Sequence, residues 1–214
     1  MKKQLNTAIA ALFLATASMT TMATEVGGTY VTAGMVKINT SGYDSLSSTT
    51  GITIDDTDTV ATFTVGYQMD ENLSLEGTIN GETETSIALS SNFSSTFSGK
   101  TLAISAGSGF KTKTESYALG AKYSSAIDED FSVYGKAGVL FWDITASAVG
   151  TATYNSVVYS GSTDIYSKDG SDLYYGVGGS YKIDQTTSIN ADYMTVEVDG
   201  YDTDALTVAV VFDI

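Results

Sequence analysis

Apolar and polar residues alternate along the chain, and the last segment shows this pattern most clearly. In residues 205–214 one face of a strand carries Leu206, Val208, Val210, Phe212 and Ile214. Side chains on a strand point alternately to its two faces, so the other face is the smaller and more polar one. A barrel in a lipid bilayer closes by pairing such a strand with its first strand. We therefore interpret this segment as the closing strand of a membrane barrel.

Seven earlier segments alternate in the same way, at residues 29–36, 59–69, 73–80, 116–123, 131–141, 173–181 and 189–193. Tight turns are expected at 70–72, 128–130 and 184–186, the middle one as a looser version with two extra residues. Polar segments at 37–58, 81–114 and 143–171 are expected to be long loops, and 199–203 a short link. The pattern predicts an all-β fold, an eight-stranded antiparallel up-and-down transmembrane barrel.

Alternation alone does not say which face is inside. A soluble lipocalin-like barrel or a β-sandwich would bury the apolar face instead. Three features favour a membrane barrel. The first is a polar face rich in Gly, Ser and Thr, which suits a narrow lumen. The second is the stretch from Phe131 to Phe141, which spans roughly 25 Å when tilted, the height of a lipid-facing band. The third is a predicted aromatic girdle at the ends of the apolar face, made of Tyr67, Tyr117, Tyr123, Phe131, Phe141, Tyr175, Tyr181 and Phe212.

The first 23 residues have the features of a secretory signal peptide, namely Lys2 and Lys3, a short apolar core and a small-residue exit at Ala23. The barrel would then occupy residues 24–214. Without those two lysines, eight basic residues remain against 25 acidic ones, a net charge of −17. Such a charge repels phosphate, so no nucleic-acid partner is expected. The chain has no cysteine, which excludes disulfides and thiolate chemistry.

Four charged residues on the polar faces lie at nearly the same distance from the tight turns: Glu76, Lys122, Lys136 and Asp192. A lysine that faced lipid near the midplane would cost roughly 2–4 kcal/mol. We therefore expect the lysines to face the lumen and to pair with the two acids, with at least one Glu–Lys and one Lys–Asp contact. Such a cluster either fills the lumen as a structural plug or gates a narrow ion path.

Catalytic and metal sites find little support in the sequence. The chain contains no histidine, which a Ser–His hydrolase of the outer membrane would need. Asp55, Asp56 and Asp58 could supply oxygen ligands, but they lack the spacing of a calcium loop and are expected to form a solvated loop. Trp142 is expected at the rim of the barrel, with ligand stacking as the alternative. We predict no enzyme activity, no metal and no cofactor.

The turn segments resemble those of the OmpA-like family of small outer-membrane barrels. Gly66-Tyr67-Gln68-Met69-Asp70 and Ser180-Tyr181-Lys182-Ile183-Asp184 are two such segments, and the apolar terminal strand is a third point of likeness. The family usually ends in Phe, whereas this chain ends in Ile214. The resemblance implies a location in the cell outer membrane, contact with its lipid and lipopolysaccharide, and recognition of the terminal strand by the barrel-assembly machinery. It also implies that no periplasmic peptidoglycan-binding domain is present.

Two functions remain open at this point. The first is a structural and surface-interaction role, adhesion-like and without catalysis, for a monomeric barrel. Parts of the polar segments alternate, at 86–90, 101–105 and 151–160, and could extend the hairpins into a sheet whose open edges pair with another protein. Mobile loops without a partner are the alternative for these segments. The second function is a small ion or solute channel, gated by the charges in the lumen.

Overall fold

The computed structural model describes residues 26–41, 52–97, 100–154 and 156–214, so the expected signal peptide at 1–23 lies outside the described residues. Within them the chain forms β1 (Thr29–Thr40), β2 (Ile52–Asp55), β3 (Thr57–Gln68), β4 (Leu73–Leu89), β5 (Phe93–Phe97), β6 (Lys100–Ile104), β7 (Gly109–Ala126), β8 (Phe131–Tyr154), β9 (Val157–Lys182), β10 (Thr187–Val198) and β11 (Tyr201–Asp213). No helix in these ranges is long and apolar enough to cross a membrane.

Eight of the strands close into a ring in the order β1, β3, β4, β7, β8, β9, β10, β11. The last strand pairs antiparallel with the first, from Tyr30 opposite Asp213 to Thr40 opposite Thr203. The N–H of Ile214 donates to the carbonyl of Thr29 at 2.9 Å and extends this ladder by one bond. The predicted eight-stranded antiparallel barrel, closed by its terminal strand, is therefore confirmed.

The three tight turns share one design, and they define the turn end of the barrel. In each, an apolar residue donates its N–H to the carbonyl four residues on, as Met69 does to Leu73 at 2.8 Å and Ile127 to Phe131 at 2.9 Å. An aspartate follows the apolar residue, and its carboxylate accepts backbone N–H groups across the turn. The expectation of a looser middle turn is wrong, because β7 and β8 each extend to the turn and Asp128 closes it as Asp70 does.

The apolar face of the ring points outward. On β9, Leu173, Tyr175 and Val177 are 75, 67 and 66 % exposed, whereas Tyr174 between them is 5 % exposed. A soluble barrel or sandwich would show the reverse arrangement, since it buries its apolar face. That alternative is therefore wrong. The apolar outer surface of the ring would be unfavourable in water and is suited to lipid.

At the end opposite the turns, one wall of the barrel continues far beyond the ring. β8 and β9 are 24 and 26 residues long, against 12 and 13 for β10 and β11. The extensions of β4, β7, β8 and β9, together with β2 and the β5–β6 hairpin, form what we name the projecting sheet. The β5–β6 hairpin joins it at the tip, where Leu102 lies opposite Tyr154.

The expected long loops are thus mostly strands. The segment 81–114 contains the end of β4, all of β5 and β6 and the start of β7, and 143–171 is almost entirely β8 and β9. The short alternating parts at 86–90, 101–105 and 151–160 lie mostly in these strands, as the hairpin-extension alternative predicted. Backbone pairing needs no apolar alternation, and Thr and Val fit a pleated surface well, so the rest of these strands gave no period-two signal. The expected loop at 37–58 contains the end of β1, β2 and the start of β3, while 42–51 lie outside the described residues. The expected link at 199–203 is a two-residue turn, with Asp199 at φ 52° and Gly200 at φ 84°.

Candidate functional site: a charged lumen below a projecting sheet

The four charged residues singled out in the sequence meet inside the barrel as two ion pairs. Glu76 Oε1 lies 2.9 Å from Lys122 Nζ, and both side chains are 11 % exposed. Lys136 pairs with Asp192, at 16 and 7 % exposure. Lys122 and Lys136 are direct neighbours across β7 and β8, so an acid on the far side of each lysine offsets their mutual repulsion. Whether these four residues only fill the lumen or also gate it stays a prediction.

Two tyrosines complete this charged layer, and sequence reasoning gave neither of them a role. Tyr30 donates its hydroxyl to Glu76 Oε1 at 2.6 Å, and Tyr134 donates to Asp192 Oδ2 at 3.2 Å. The ammonium of Lys122 also lies 4.3 Å from the centre of the Tyr30 ring and 5.5 Å from that of Tyr134, a cation–π arrangement. The signal was present, since both tyrosines occupy polar-face positions where a large aromatic residue is out of pattern.

Glycines on neighbouring strands make room for these rings. A Cβ on Gly66 would overlap the ring of Tyr30, and one on Gly178 would overlap the ring of Tyr134 and the side chain of Asp192. The tyrosines therefore lie flat against bare backbone inside a narrow barrel. This close approach packs the charged layer, whose charged residues and tyrosines come from five of the eight ring strands.

An apolar layer lies on the side of the charged layer that faces away from the turns. Its buried members are Ala118, Leu140, Trp142, Ile144, Tyr174 and Val196. The expectation that Trp142 sits at the rim is wrong: the side chain is 5 % exposed and points inward. Its indole N–H donates to Asp172 Oδ2 at 2.7 Å, and a bare Gly170 leaves space for its ring. An inward tryptophan is stable here because its one donor is satisfied.

These two layers divide the interior into chambers. A cavity of about 290 Å³ lies at the turn end, and one of about 330 Å³ lies at the opposite end, lined by residues such as Ile38, Ile144 and Val198. The space at the charged layer between them is only about 50 Å³. The charged layer is therefore the part of the described interior with the least free space among these three.

The predicted girdle and terminal strand lie on the outer surface. Tyr117 and Phe141 stack at 4.9 Å between ring centres with an interplanar angle of 12°. The other members of the girdle are 39–67 % exposed. Leu206, Val208 and Phe212 also point outward, whereas Ala209 and Val211 are buried in the lumen. Lipid contact by the girdle and recognition of this strand by assembly machinery stay predictions.

The acidic segment at the start of β3 is engaged in local hydrogen bonds. Asp58 accepts the N–H of Thr59 at 2.7 Å and that of Glu84 at 2.8 Å, and Asp56 accepts from the Thr57 hydroxyl. Within the described ranges, no group of three or more His, Cys, Asp or Glu residues could hold a metal ion. Asp58 therefore ties β3 to β4 where the projecting sheet begins.

The projecting sheet carries its own ion pairs in water. Lys111 pairs with Glu84 at 2.6 Å and Lys113 with Glu82 at 2.5 Å, and all four side chains are 39–47 % exposed. The hydrogen bond from Lys113 to Glu82 raises the pKa of that lysine above its ordinary value. At the tip, Tyr154, Val157, Val158 and Tyr159 are 43–63 % exposed. Apolar residues therefore reach the solvent far from the ring.

Comparison with known proteins decides the family. The family model described as outer membrane protein beta-barrel domain matches residues 8–213. The chain belongs to this family. It follows that the barrel lies in the outer membrane, with its apolar outer face toward lipid. In such barrels the short turns face the periplasm and the long hairpins the cell exterior, so the projecting sheet stands outside the cell.

Solved structures of small outer-membrane barrels share the fold. The outer membrane protein OprG from Pseudomonas aeruginosa is 12 % identical, with a TM-score of 0.58 over 91 % of this chain and 99 % of that chain. Ail, the attachment invasion locus protein of Yersinia pestis, is 14 % identical, with a TM-score of 0.53 over 88 % and 99 %. Neisserial surface protein A is 16 % identical, with 0.51 over 86 % and 96 %. A search of curated proteins found no match.

Proposed function

We propose that this barrel is a surface-interaction protein of the outer membrane, with an adhesion-like role and no catalysis. The observation that carries the proposal is the projecting sheet, which continues β8 and β9 beyond the ring as a regular paired sheet rather than as loops. From Tyr175 at the girdle to Val157 at the tip, β9 rises roughly 45 Å when tilted as in other barrels. A structure of this height holds side chains well away from the membrane surface.

The structure of the lumen also supports a surface role. Its charged layer is packed, hydrogen-bonded and narrow, which suits a plug that stabilises the barrel. By contrast, the exposed valines and tyrosines of the tip contribute nothing to the barrel's own packing, and surface apolar groups of this kind commonly mark an interaction site. Ail, the attachment invasion locus protein of Yersinia pestis, shares the fold, which supports an adhesive role.

Removing the projecting hairpin tests the proposal. A variant that joins Ala146 to Tyr166 through an Asn–Gly turn keeps a directly opposed pair at the new hairpin end and leaves the lumen intact. Bacteria that display the protein should be retained several-fold more than non-displaying cells, both on epithelial monolayers and on a layer of the same strain. The shortened variant should be retained no better than non-displaying cells. Full retention of the shortened variant, at equal surface amounts, would overturn the proposal.

A small ion or solute channel is the second candidate, and the two chambers favour it. The charged layer and the apolar layer next to it separate them, so an exchange of ion-pair partners together with a shift of the apolar side chains would join them into one path. Planar-bilayer recording at neutral pH distinguishes the two functions. Reproducible conductance steps that change with Lys136→Ala would favour the channel, and a silent barrel would favour the surface role.

The proposed partners follow from the location of the barrel in the outer membrane and from its apolar outer face. The apolar band meets outer-membrane lipid, and lipopolysaccharide is the proposed contact in the outer leaflet. We further propose that the β11 face of Leu206, Val208, Val210, Phe212 and Ile214 is read by the barrel-assembly machinery, and that the protein acts as a monomer within its own membrane. Replacing Phe212 by Ser should lower the amount of folded, heat-modifiable barrel in the membrane, while Val211→Ala, which faces the lumen, should lower it less.

A further inference from the structure

The upper part of β9 is a free sheet edge. β9 pairs with β10 only between Tyr174 and Lys182, while its pairing with β8 continues to Val157. Among the residues that the structure describes, no strand pairs with the other side of Val157–Leu173. Residues 157–169 are all solvent-exposed. Seventeen residues of β9 backbone, from the tip down to the ring, therefore have one unpaired side.

The hydrogen bonds of β8 show which backbone groups face this free edge. The N–H of Thr151 bonds the Ser108 hydroxyl and its carbonyl accepts from Ser105, both on the side away from β9. Backbone groups alternate along an antiparallel strand, so Ala152 and Gly150 face β9, where their partners are Tyr159 and Gly161. The N–H and C=O groups of Val158, Ser160 and Ser162 therefore point to the open side.

The tip of this edge lacks the features that usually protect an exposed edge strand from pairing with other chains. Charged residues, prolines and bulges normally blunt an exposed edge strand. Residues 157–163, Val-Val-Tyr-Ser-Gly-Ser-Thr, contain no charge and no proline, and the register irregularity of β9 comes only after them, next to Asp164. In a chain with a net charge of −15, an uncharged stretch of this kind lets another copy approach without facing a carboxylate.

The same seven residues are complementary to themselves. In an antiparallel pairing centred on Ser160, the open groups of Ser160 meet those of a second Ser160, and Val158 meets Ser162. Tyr159 then lies opposite Gly161, and large-opposite-small pairs of this kind cover the bare backbone of an edge glycine. The backbone groups that must form hydrogen bonds in this register are those of Val158, Ser160 and Ser162, which already point to the open side. Asp164 lies beyond the paired stretch, opposite Ser156, so no two acids oppose each other.

The orientation of the barrel in its membrane determines whether the second copy lies in the same membrane or in a facing one. All copies in one membrane run β9 in the same direction, from the tip inward, so two edges side by side would be parallel. Copies in two facing membranes run in opposite directions, which gives the antiparallel pairing found throughout this sheet. Antiparallel pairs are also the slightly more stable kind.

We propose that the β9 edge at Val157–Thr163 binds the same edge of a second copy in an apposed outer membrane, which links cells to one another. This inference deepens the proposed surface role and rests on it. The partner is the chain itself, and the contact is a continuous intermolecular sheet with Ser160 on its two-fold axis. Screening of the remaining acidic charges predicts that cell clustering increases between 0.02 and about 0.15 M salt, where the screening length falls to roughly 8 Å.

The absence of cysteine in the chain permits a clean crosslinking test. Two cell populations display differently tagged Ser160→Cys, are mixed and are mildly oxidised. In the two-fold register the two residues are a bonded pair about 5.5 Å apart between Cα atoms, within disulfide reach. The result expected is a reducible dimer that contains both tags. Ser162→Cys is the matched control: it lies on the same face and edge, but its own copy is four residues away, roughly 13 Å, so it should not crosslink.

Charged substitutions at the same position give a second test that does not depend on crosslinking. Ser160→Asp cells alone and Ser160→Lys cells alone should cluster at least about tenfold less than the parent, because like charges then face each other and the central bonds are strained. A mixture of the two should cluster again, and Ser160→Ala should cluster like the parent. Heat-modifiable migration on gels confirms that each variant is folded.

The outcomes separate this proposal from the function on which it rests. No mixed-tag dimer, equal dimer from Ser160→Cys and Ser162→Cys, or no recovery in the Asp and Lys mixture would overturn the pairing of like edges. If epithelial retention is still lost on shortening the hairpin, the surface role stands and the edge binds a different protein. If shortening changes neither retention nor clustering, both the pairing and the surface role fail.

Discussion

Two ion pairs of the same chemistry lie in different surroundings in this molecule. In the lumen, Glu76 and Lys122 are 11 % exposed; Glu76 accepts the hydroxyl of Tyr30, and Lys122 lies over the ring of the same tyrosine. In the projecting sheet, Glu84 and Lys111 are 39 and 44 % exposed on the outside of the wall. Removing one partner in the lumen leaves a charge without water, whereas removing one in the sheet leaves a charge that water solvates. The same contact is therefore structural in one region and nearly dispensable in the other.

Glycine and threonine show the same contrast. Gly66 gives its space to the Tyr30 ring, whereas nothing lies within 4 Å of a Cβ built on Gly161 near the tip. Thr64 and Thr78 share a hydrogen bond inside the barrel, and Thr96 and Thr101 share one on the exposed β5–β6 hairpin. The charged layer of the barrel is thus closely packed, while the projecting sheet keeps free space and free backbone groups. A region that is tolerant of change in this way is suited to contact with other molecules.

The largest expected effect is at the ion pairs. Glu76→Gln should lower the free energy of unfolding by about 3–5 kcal/mol, because it leaves Lys122 buried without its acid. Glu84→Gln should cost at most about 1 kcal/mol, since an exposed pair contributes little. Urea unfolding in detergent micelles, followed by Trp142 emission, measures both. Changing Glu76 to Gln and Lys122 to Met together should cost less than the sum of the single changes; strict additivity would contradict the cluster.

An intermediate effect is expected at the glycines. Gly66→Ala should destabilise by about 1–3 kcal/mol, because the Tyr30 ring cannot shift without losing its bonds to Ser74 and Glu76. Gly161→Ala should be neutral or stabilising by up to about 1 kcal/mol, since a residue in open space only loses freedom in the unfolded chain. The same unfolding assay applies. Equal costs at the two positions would mean that the lumen is less tightly packed than described.

A smaller difference should separate the threonine pairs. Thr64→Val removes one partner of a part-buried bond of 2.8 Å and should cost about 1 kcal/mol. Thr96→Val removes one partner of an exposed bond of 3.0 Å and should change stability by less than about 0.5 kcal/mol. If Thr96→Val were the more destabilising change, the β5–β6 hairpin would be part of the barrel's cooperative core rather than an attachment to it.

The smallest effect concerns pH at the turn end. The backbone N–H of Thr186 donates to the Asp184 carboxylate, which holds the pKa of that carboxyl below its ordinary value. A depressed carboxyl pKa stabilises the turn at pH above the unfolded value, near 3.9, and this contribution is lost as pH falls through the folded value. Carboxyl-carbon NMR should show the lowered midpoint, and Thr186→Ala should retain most of the shift because the backbone donor remains. A midpoint at the ordinary value would contradict the turn geometry.

Period-two alternation was sufficient to predict the ring. It placed Glu76, Lys122, Lys136 and Asp192 on lumen faces at a common depth, because register in a barrel follows from which face meets lipid. It left residues 81–114 and 143–171 as polar segments, because only short parts of them alternate and strand formation there depends on pairing with a neighbour. It also could not orient Trp142, whose inward position depends on Asp172 and Gly170 of the next strand. Such partners become visible only once the register is known.

Backbone amide exchange, resolved by residue, tests the contrast between a closed interior and an open edge most directly. In dilute, monodisperse protein held in lipid nanodiscs, the amides of Val158, Ser160 and Ser162 should exchange rapidly. Those of Tyr159, Gly161 and Thr163, which bond β8, should exchange at least about tenfold more slowly, and ring amides around Lys122 and Asp192 should be the slowest. Protection of Val158, Ser160 and Ser162 equal to that of their neighbours would show that the edge is already covered, and would contradict the account.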